Sequence, residues 1–159
     1  MPNTLYIMIG CPASGKSHWR SHYLGSHTLI SPDEVIDEKW GYRNWSPALA
    51  EKAWNSCYRA LGRAVCNEMF KAEDSVYVWD AVNPTPMNRS SILNFAKGAG
   101  WRVVAVFVDT PLEVCLERNV ERGYRKIPEN ALRRFYDRLT TPQESEPFDE
   151  VIHLKHGEW

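Results

Sequence analysis

An α/β fold with a central parallel sheet of four or five strands flanked by helices is predicted by three observations. Five strand-like runs recur along the 159 residues, at 5–9, 27–31, 75–79, 102–108 and 151–154, and stretches of helical period separate them. The first run is continuously apolar and the fourth is apolar throughout its middle, rather than alternating, as strands buried on both faces require. The first run leads directly into Gly10, Cys11, Pro12, Ala13, Ser14, Gly15, Lys16 and Ser17, which match the Walker A pattern G-x-x-x-x-G-K-[ST] at every defined position, in the strand-then-helix setting the pattern needs.

The residue types in that loop follow from the chemistry of holding a phosphate. Two glycines let the backbone wrap closely, its N–H groups point inward, and the following helix N-terminus adds a favourable dipole. Lys16 is placed to reach the β- and γ-phosphates of a nucleoside triphosphate, and the Ser17 hydroxyl to ligate Mg²⁺. All eight residues of the loop are therefore expected at the nucleotide.

Composition narrows the rest. The length fits one domain able to bury a core without staples. A formal net charge of −1 gives no global attraction to nucleic acid or membrane, so any polyanion site must come from local clustering. Seven Lys/Arg residues do cluster from Arg118 to Arg138. Cys11, Cys57, Cys66 and Cys115 have neither C-x-x-C nor metal-ligand spacing, and no signal peptide or membrane-length apolar stretch is visible. A reduced, cytoplasmic protein with no membrane partner is the expectation.

In chain order, a helix over 16–24 places Trp19 and Tyr23 on one face, for core packing. Ser31, Pro32, Asp33 and Glu34 follow the second run. They have the composition of a helix start, with an N-cap, a first-position proline and acids in the first turn. Asp33 also stands just past a strand, where it can face the γ-phosphate and take the proton of an attacking hydroxyl, a role contributing on the order of 10² to 10⁴-fold. The two readings are compatible. Trp40, Tyr42 and Trp45 fall in an irregular stretch and are open to two uses, stacking on a nucleobase or covering a core.

A long packing helix is predicted from Ser46 to about Ala72, through Leu49, Ala53, Trp54, Cys57, Leu61, Ala64, Val65 and Met69, with its cysteines Cys57 and Cys66 in the core. Asp80 closes the third strand at its C-terminal end, where ligands bind in open α/β sheets, and can serve Mg²⁺ or an acceptor. Asn83 lies just beyond it. A helix over 87–96 stops at Gly98 and Gly100, and Asp109, Thr110 and Pro111 open the next. There Arg118 and Arg122 stand four apart on one face. Two converging arginines can clamp the β/γ-phosphates, worth roughly 10³ to 10⁵-fold for a single arginine in such a role. The other reading is a solvated charge ladder with Glu117 and Glu121. Pro128 starts a last helix, and His153 is expected to be a strand residue rather than a ligand.

With these residues in place, the chain resembles the kinase domain of the phage-type 5′-hydroxyl polynucleotide kinases, within the AAA_33-like group of P-loop kinases. The likeness runs over 5–139 and rests on the loop at 10–17, Trp19, Asp33-Glu34, Asp80-Ala81-Val82-Asn83 with Arg89, and Arg118-Asn119-x-x-Arg122-Gly123 followed by Lys126-Ile127-Pro128. The resemblance implies a P-loop kinase fold in a single kinase domain over 1–159, with a helical lid at about 117–128. It also implies transfer of the γ-phosphate of ATP, or another nucleoside triphosphate, with Mg²⁺ to a 5′-hydroxyl of DNA or RNA, in a bacterial or phage-infected cell. Lys16, Asp33, Arg118 and Arg122 would be catalytic, and Asp33, Asp80, Asn83 and Arg89 would face the acceptor.

One position departs from the pattern. Three residues after the catalytic aspartate the family has an arginine that contacts the acceptor's 3′-phosphate, and this chain has Ile36. Arg43 or Arg89 is then left to substitute, or the acceptor is a hydroxyl on a modified base, a nucleoside or another small metabolite. A non-catalytic nucleotide-binding protein is the remaining reading.

Overall fold

The computed structural model describes residues 2–68 and 74–159. Five strands form one parallel sheet: β1 (Thr4–Ile9), β2 (Thr28–Ile30), β3 (Val76–Asp80), β4 (Arg102–Asp109) and β5 (Glu150–Lys155), in the order β2-β3-β1-β4-β5. All five expected runs are strands, and the parallel sheet is as predicted. The helices are α1 (Lys16–Tyr23), α2 (Pro32–Trp40), α3 (Pro47–Glu68), α4 (Pro86–Gly98), α5 (Leu112–Val120) and α6 (Glu129–Arg138), with 3-10 turns at Tyr42–Asn44 and Gly123–Arg125. The part of the α3 expectation beyond Glu68, Met69 included, lies outside the described residues.

The pleat sorts β1 between two cores, because successive side chains point to opposite faces. Leu5, Ile7 and Ile9 pack with Tyr77, Trp79, Val103, Ala105 and Phe107 against Cys57 and Leu61 of α3 and Ile92, Leu93 and Ala96 of α4. On the other face Met8, Val78, Val104, Val106 and Val108 pack against Trp19 of α1. A third, smaller cluster of Cys11, Cys115 and Leu132 ties α5 and α6 to the loop that follows β1.

Two expectations are corrected here. Trp19 is core, but Tyr23 is 59% exposed and only stacks on it, with centroids 5.9 Å apart. Cys57 is buried while Cys66, nine residues on, has rotated round α3 to the surface. His153 is a β5 residue paired with Asp109 at 2.8 Å. Among the described residues, no helix is long and apolar enough to cross a membrane.

The two central gaps of the sheet position the site. β1 has β3 on one side and β4 on the other, so chain order reverses there and the loops after β1, β3 and β4 open into one crevice at the strands' carboxyl ends.

Candidate active site

The loop after β1 is built so that nothing but glycine fits at two points. A Cβ on Gly10 would stand 2.8 Å from Ser14 Oγ and 3.1 Å from the Val108 carbonyl oxygen. Gly15 has φ 107°, a conformation that side chains other than hydrogen rarely adopt, and it caps the start of α1. The loop is anchored from neighbouring strands. Gly10 N donates to the Val82 carbonyl at 3.1 Å, Asn83 Nδ2 to the Met8 carbonyl at 2.7 Å, and Thr110 Oγ1 to the Ser14 carbonyl at 2.7 Å. Arg118 Nη1 reaches the same Ser14 carbonyl at 3.1 Å.

Lys16 lies across this loop, its Nζ donating to the Gly10 carbonyl at 2.8 Å and the Cys11 carbonyl at 3.0 Å. Burial pulls its pKa down, partly opposed by the charge of Asp80. Cys11 is buried beside Cys115, and its thiol is pushed well above the usual range, chiefly by the hydrogen bond to Cys115 and by burial. It is packing, not a nucleophile.

Asp33 sits at the second helical position of α2, after Ser31, whose Oγ accepts from Glu34 N at a long 3.5 Å, and Pro32. Burial raises the Asp33 pKa, opposed by Lys16, Arg122 and Arg125. Asp80, at the end of β3, is raised for the same reason, opposed by Lys16 and by Arg20, whose Nε stands 3.4 Å away. Arg122 makes no side-chain hydrogen bond among the described residues, yet its charge is felt at Asp33, Lys16 and Cys11.

These groups wall two cavities that meet. The first, about 540 Å³, is the P-loop cavity: residues 12–18 with Asp33, Asp80, Arg118, Arg122 and Trp159. The second, about 1060 Å³, is lined by Tyr42, Trp45, Trp54, Tyr58 and Tyr124 together with Arg43, Lys126, Arg134 and Arg138. Asp33, Asp80 and Arg122 belong to both. Of the aromatic stretch, Tyr42 and Trp45 line the second cavity and Trp40 does not.

Arg89 is not at either cavity. It is fully buried, its Nε and Nη2 gripping Glu146 at 2.8 Å each, and its Nη1 donating at 3.0 Å to the Asn83 and Thr140 carbonyls. With every donor group engaged it has nothing left for an acceptor, and it fastens the 140–149 connection to α4. Asn83 lines the second cavity, but its amide nitrogen is committed to Met8. Arg43 lines it too, resting over the Tyr124 ring at 5.7 Å.

Three participants have no motif. Arg20 pairs with Asp80, and its place one turn after Lys16 was a usable signal. Arg125 spans to α2, donating at 2.8 Å to both Glu34 and Asp37, while Tyr124 donates to Asp37 at 3.1 Å. These bonds lower the Asp37 pKa and raise that of Arg125. Trp159 lies far along the chain from the loop it covers.

A divalent cation finds a partial shell. Ser17, Asp33 and Asp80 offer one hydroxyl and two carboxylates to the P-loop cavity, hard oxygen donors suited to Mg²⁺ in company with phosphate oxygens and water. No group of three or more His, Cys, Asp or Glu among the described residues could hold a metal by itself.

Sheet order, loop and cavity together define a P-loop kinase fold. The chain belongs to the AAA_33 family of AAA domains, which matches residues 5–142. An L-seryl-tRNA(Sec) kinase of Methanococcus maripaludis is 28% identical over 138 residues, 87% of this chain and 53% of that protein. An adenylyl-sulfate kinase of Rhodopirellula baltica is 27% identical over 141 residues, 83% of this chain and 54% of that protein. The chain thus spans about half the length of these curated relatives. A chain of the Pnkp1/Rnl/Hen1 RNA repair complex superposes with a TM-score of 0.68 at 17% identity, covering 87% of this chain and 44% of that one, a likeness of fold.

Proposed function

We propose that the chain is an ATP-dependent phosphotransferase that moves the γ-phosphate to a 5′-hydroxyl of DNA or RNA. The observation that carries this reading is the shared wall: two carboxylates, Asp33 and Asp80, and Arg122, an arginine without a side-chain hydrogen bond among the described residues, face both a phosphate-binding loop and a second cavity large enough for an acceptor. A donor and an acceptor lying in the two cavities meet there.

In this reading Lys16 exchanges its two loop carbonyls for the β- and γ-phosphate oxygens. Asp33 accepts the proton of the acceptor hydroxyl as the new O–P bond forms and the bond between the γ-phosphorus and the bridging β,γ oxygen breaks, leaving ADP. Arg118 and Arg122, on the lid segment 117–128, neutralise charge on the transferring group. Ser17, with Asp80 nearby, would hold Mg²⁺, which when bound shields the β- and γ-oxygens. The six aromatic rings and five cations of the second cavity suit a single strand, whose bases stack and whose phosphates seek charge.

Ile36 favours a second reading with the same chemistry and a smaller acceptor. Its side chain is 1% exposed within the wall of the second cavity, where the polynucleotide kinases it resembles carry an arginine. The test is γ-phosphate transfer from labelled ATP with Mg²⁺ to 5′-hydroxyl DNA and RNA oligonucleotides, to the same strands already 5′-phosphorylated, and to a nucleoside pool. Labelling confined to 5′-hydroxyl strands supports the end-kinase reading. Equal labelling of blocked strands moves the acceptor onto a base, labelling of the pool alone makes it small, and ATP binding without any transfer leaves a nucleotide-binding protein.

A further inference from the structure

We infer that Trp159 is the nucleobase shelf of the P-loop cavity, its indole face stacking on the base of the bound nucleoside triphosphate. The inference rests on the P-loop cavity being a nucleotide site and adds the group that reads the end of the nucleotide remote from the phosphates.

The cavity has two distinct ends. Asp33, Asp80 and Arg122 form the end it shares with the aromatic cavity, whereas His18, Arg118 and Trp159 line the P-loop cavity only. A triphosphate whose terminal phosphorus lies at the shared wall extends its ribose and base toward that other end. What waits there is an apolar ring rather than another cation. The indole is laid against the loop itself: a Cβ on Gly15 would meet Trp159 Cη2 at 2.8 Å and Cζ2 at 3.3 Å, with Arg118 Nη1 at 3.4 Å from the same point. The His18 ring lies beside it, centroids 5.9 Å apart. An aromatic plate with a guanidinium and an imidazole at its margin is the composition that holds a nucleobase by stacking and cation–π contact.

The ring is also held in position. His156 N donates to the Asp109 carbonyl and Glu158 N to the Lys155 carbonyl, each at 3.1 Å, so the turn after β5 is fastened, and Trp159 packs on the Met8 and Val106 side of the core. One polar atom is left over. Trp159 Nε1 is buried without a hydrogen-bond partner among the described residues, a state native structures rarely leave uncompensated. The recognised chemistry is a nucleoside triphosphate, with purines favoured by their larger stacking area.

Titration calorimetry of the full chain with Mg²⁺, comparing ATP with inorganic tripolyphosphate, separates base from phosphate. Trp159→Ala is expected to weaken ATP roughly 10- to 100-fold, the range of one base–aromatic stack. Tripolyphosphate affinity is expected to stay within about twofold, and Trp159→Phe to bind ATP with intermediate affinity. Equal loss for both ligands would overturn the proposal and make the indole a brace for the loop. A gain for both would overturn it in favour of a ring that blocks the phosphate site, and no change for either would reduce it to packing. If the alanine variant does not fold, the phenylalanine variant decides on the same two ligands. Failure of the unaltered chain to bind either ligand would bring down the nucleotide reading and this inference together.

Discussion

The two cavities that meet at Asp33 and Asp80 are walled by different kinds of atom. Around the P-loop, the contacts that set geometry are made by backbone: the Gly10, Cys11 and Ser14 carbonyls receive Lys16, Thr110 and Arg118, and positive φ at Ala13 and Gly15 shapes the turn. The aromatic cavity is about twice as large and is walled by side chains from α2, α3, α6 and the two 3-10 turns. A backbone site can do one thing, because its donors are fixed by the fold. A side-chain site can be retuned by substitution without disturbing the sheet, so in the proposed function the nucleotide would be general to the fold and the acceptor particular to the chain.

The sharpest way to break that contrast is at the shared wall. Lys16→Ala and Asp33→Asn are each expected to lower phosphotransfer by at least about 10² to 10⁴-fold, but only Lys16→Ala should substantially weaken ATP binding. Equal loss of ATP affinity in both, measured by calorimetry, would place Asp33 with the nucleotide and remove it as the base. Because burial raises the Asp33 pKa, activity should fall on the acid side at a pH above the ordinary carboxylate range, and rate–pH profiles would show this limb directly.

Next in size is Arg89, which separates scaffold from site beneath the aromatic cavity. Removing one partner of a buried ion pair leaves the other charge stranded, so Arg89→Ala is expected to destabilise the fold by about 3–5 kcal/mol in urea unfolding. A variant of unchanged stability with reduced acceptor affinity would return Arg89 to the site.

The smallest effect concerns Asp80. Its folded pKa is raised, so the native state keeps its proton to higher pH than the unfolded chain does, and stability declines as pH rises through the interval between the two values. Asp80→Asn should therefore raise the melting temperature at neutral pH by roughly 2–4 °C, the equivalent of about 1 kcal/mol. Near pH 3, where the aspartate is protonated in both states, that gain should vanish. A melting temperature that falls at neutral pH would show that Arg20 and Lys16 outweigh burial.

What could be read from the sequence divides along the same line. The buried parallel strands announce themselves as apolar runs, and the loop at 10–17 has a fixed spacing because its geometry is local. Ser31 and Pro32 likewise gave the start of α2. Arg89 was expected at the acceptor only through the family resemblance, because an arginine in the first turns of a helix has no local signature of burial; Glu146, 57 residues away, shows what it is for. Arg125 and Trp159 were missed for the same reason, as each acts on a partner that no spacing rule connects to it. The exposed Cys66 is a simpler lesson, since a cysteine on a packing helix is core only if its phase is right.

Lys16 folded onto the Gly10 and Cys11 carbonyls has a thermodynamic consequence. The Lys16 ammonium is already hydrogen-bonded, so at this side chain an arriving triphosphate exchanges two carbonyl acceptors for phosphate oxygens. The gain on binding must then come from placing anionic oxygens beside a buried ammonium. Affinity at this loop should follow ligand charge more closely than the count of contacts, and the loop should hold its shape between turnovers.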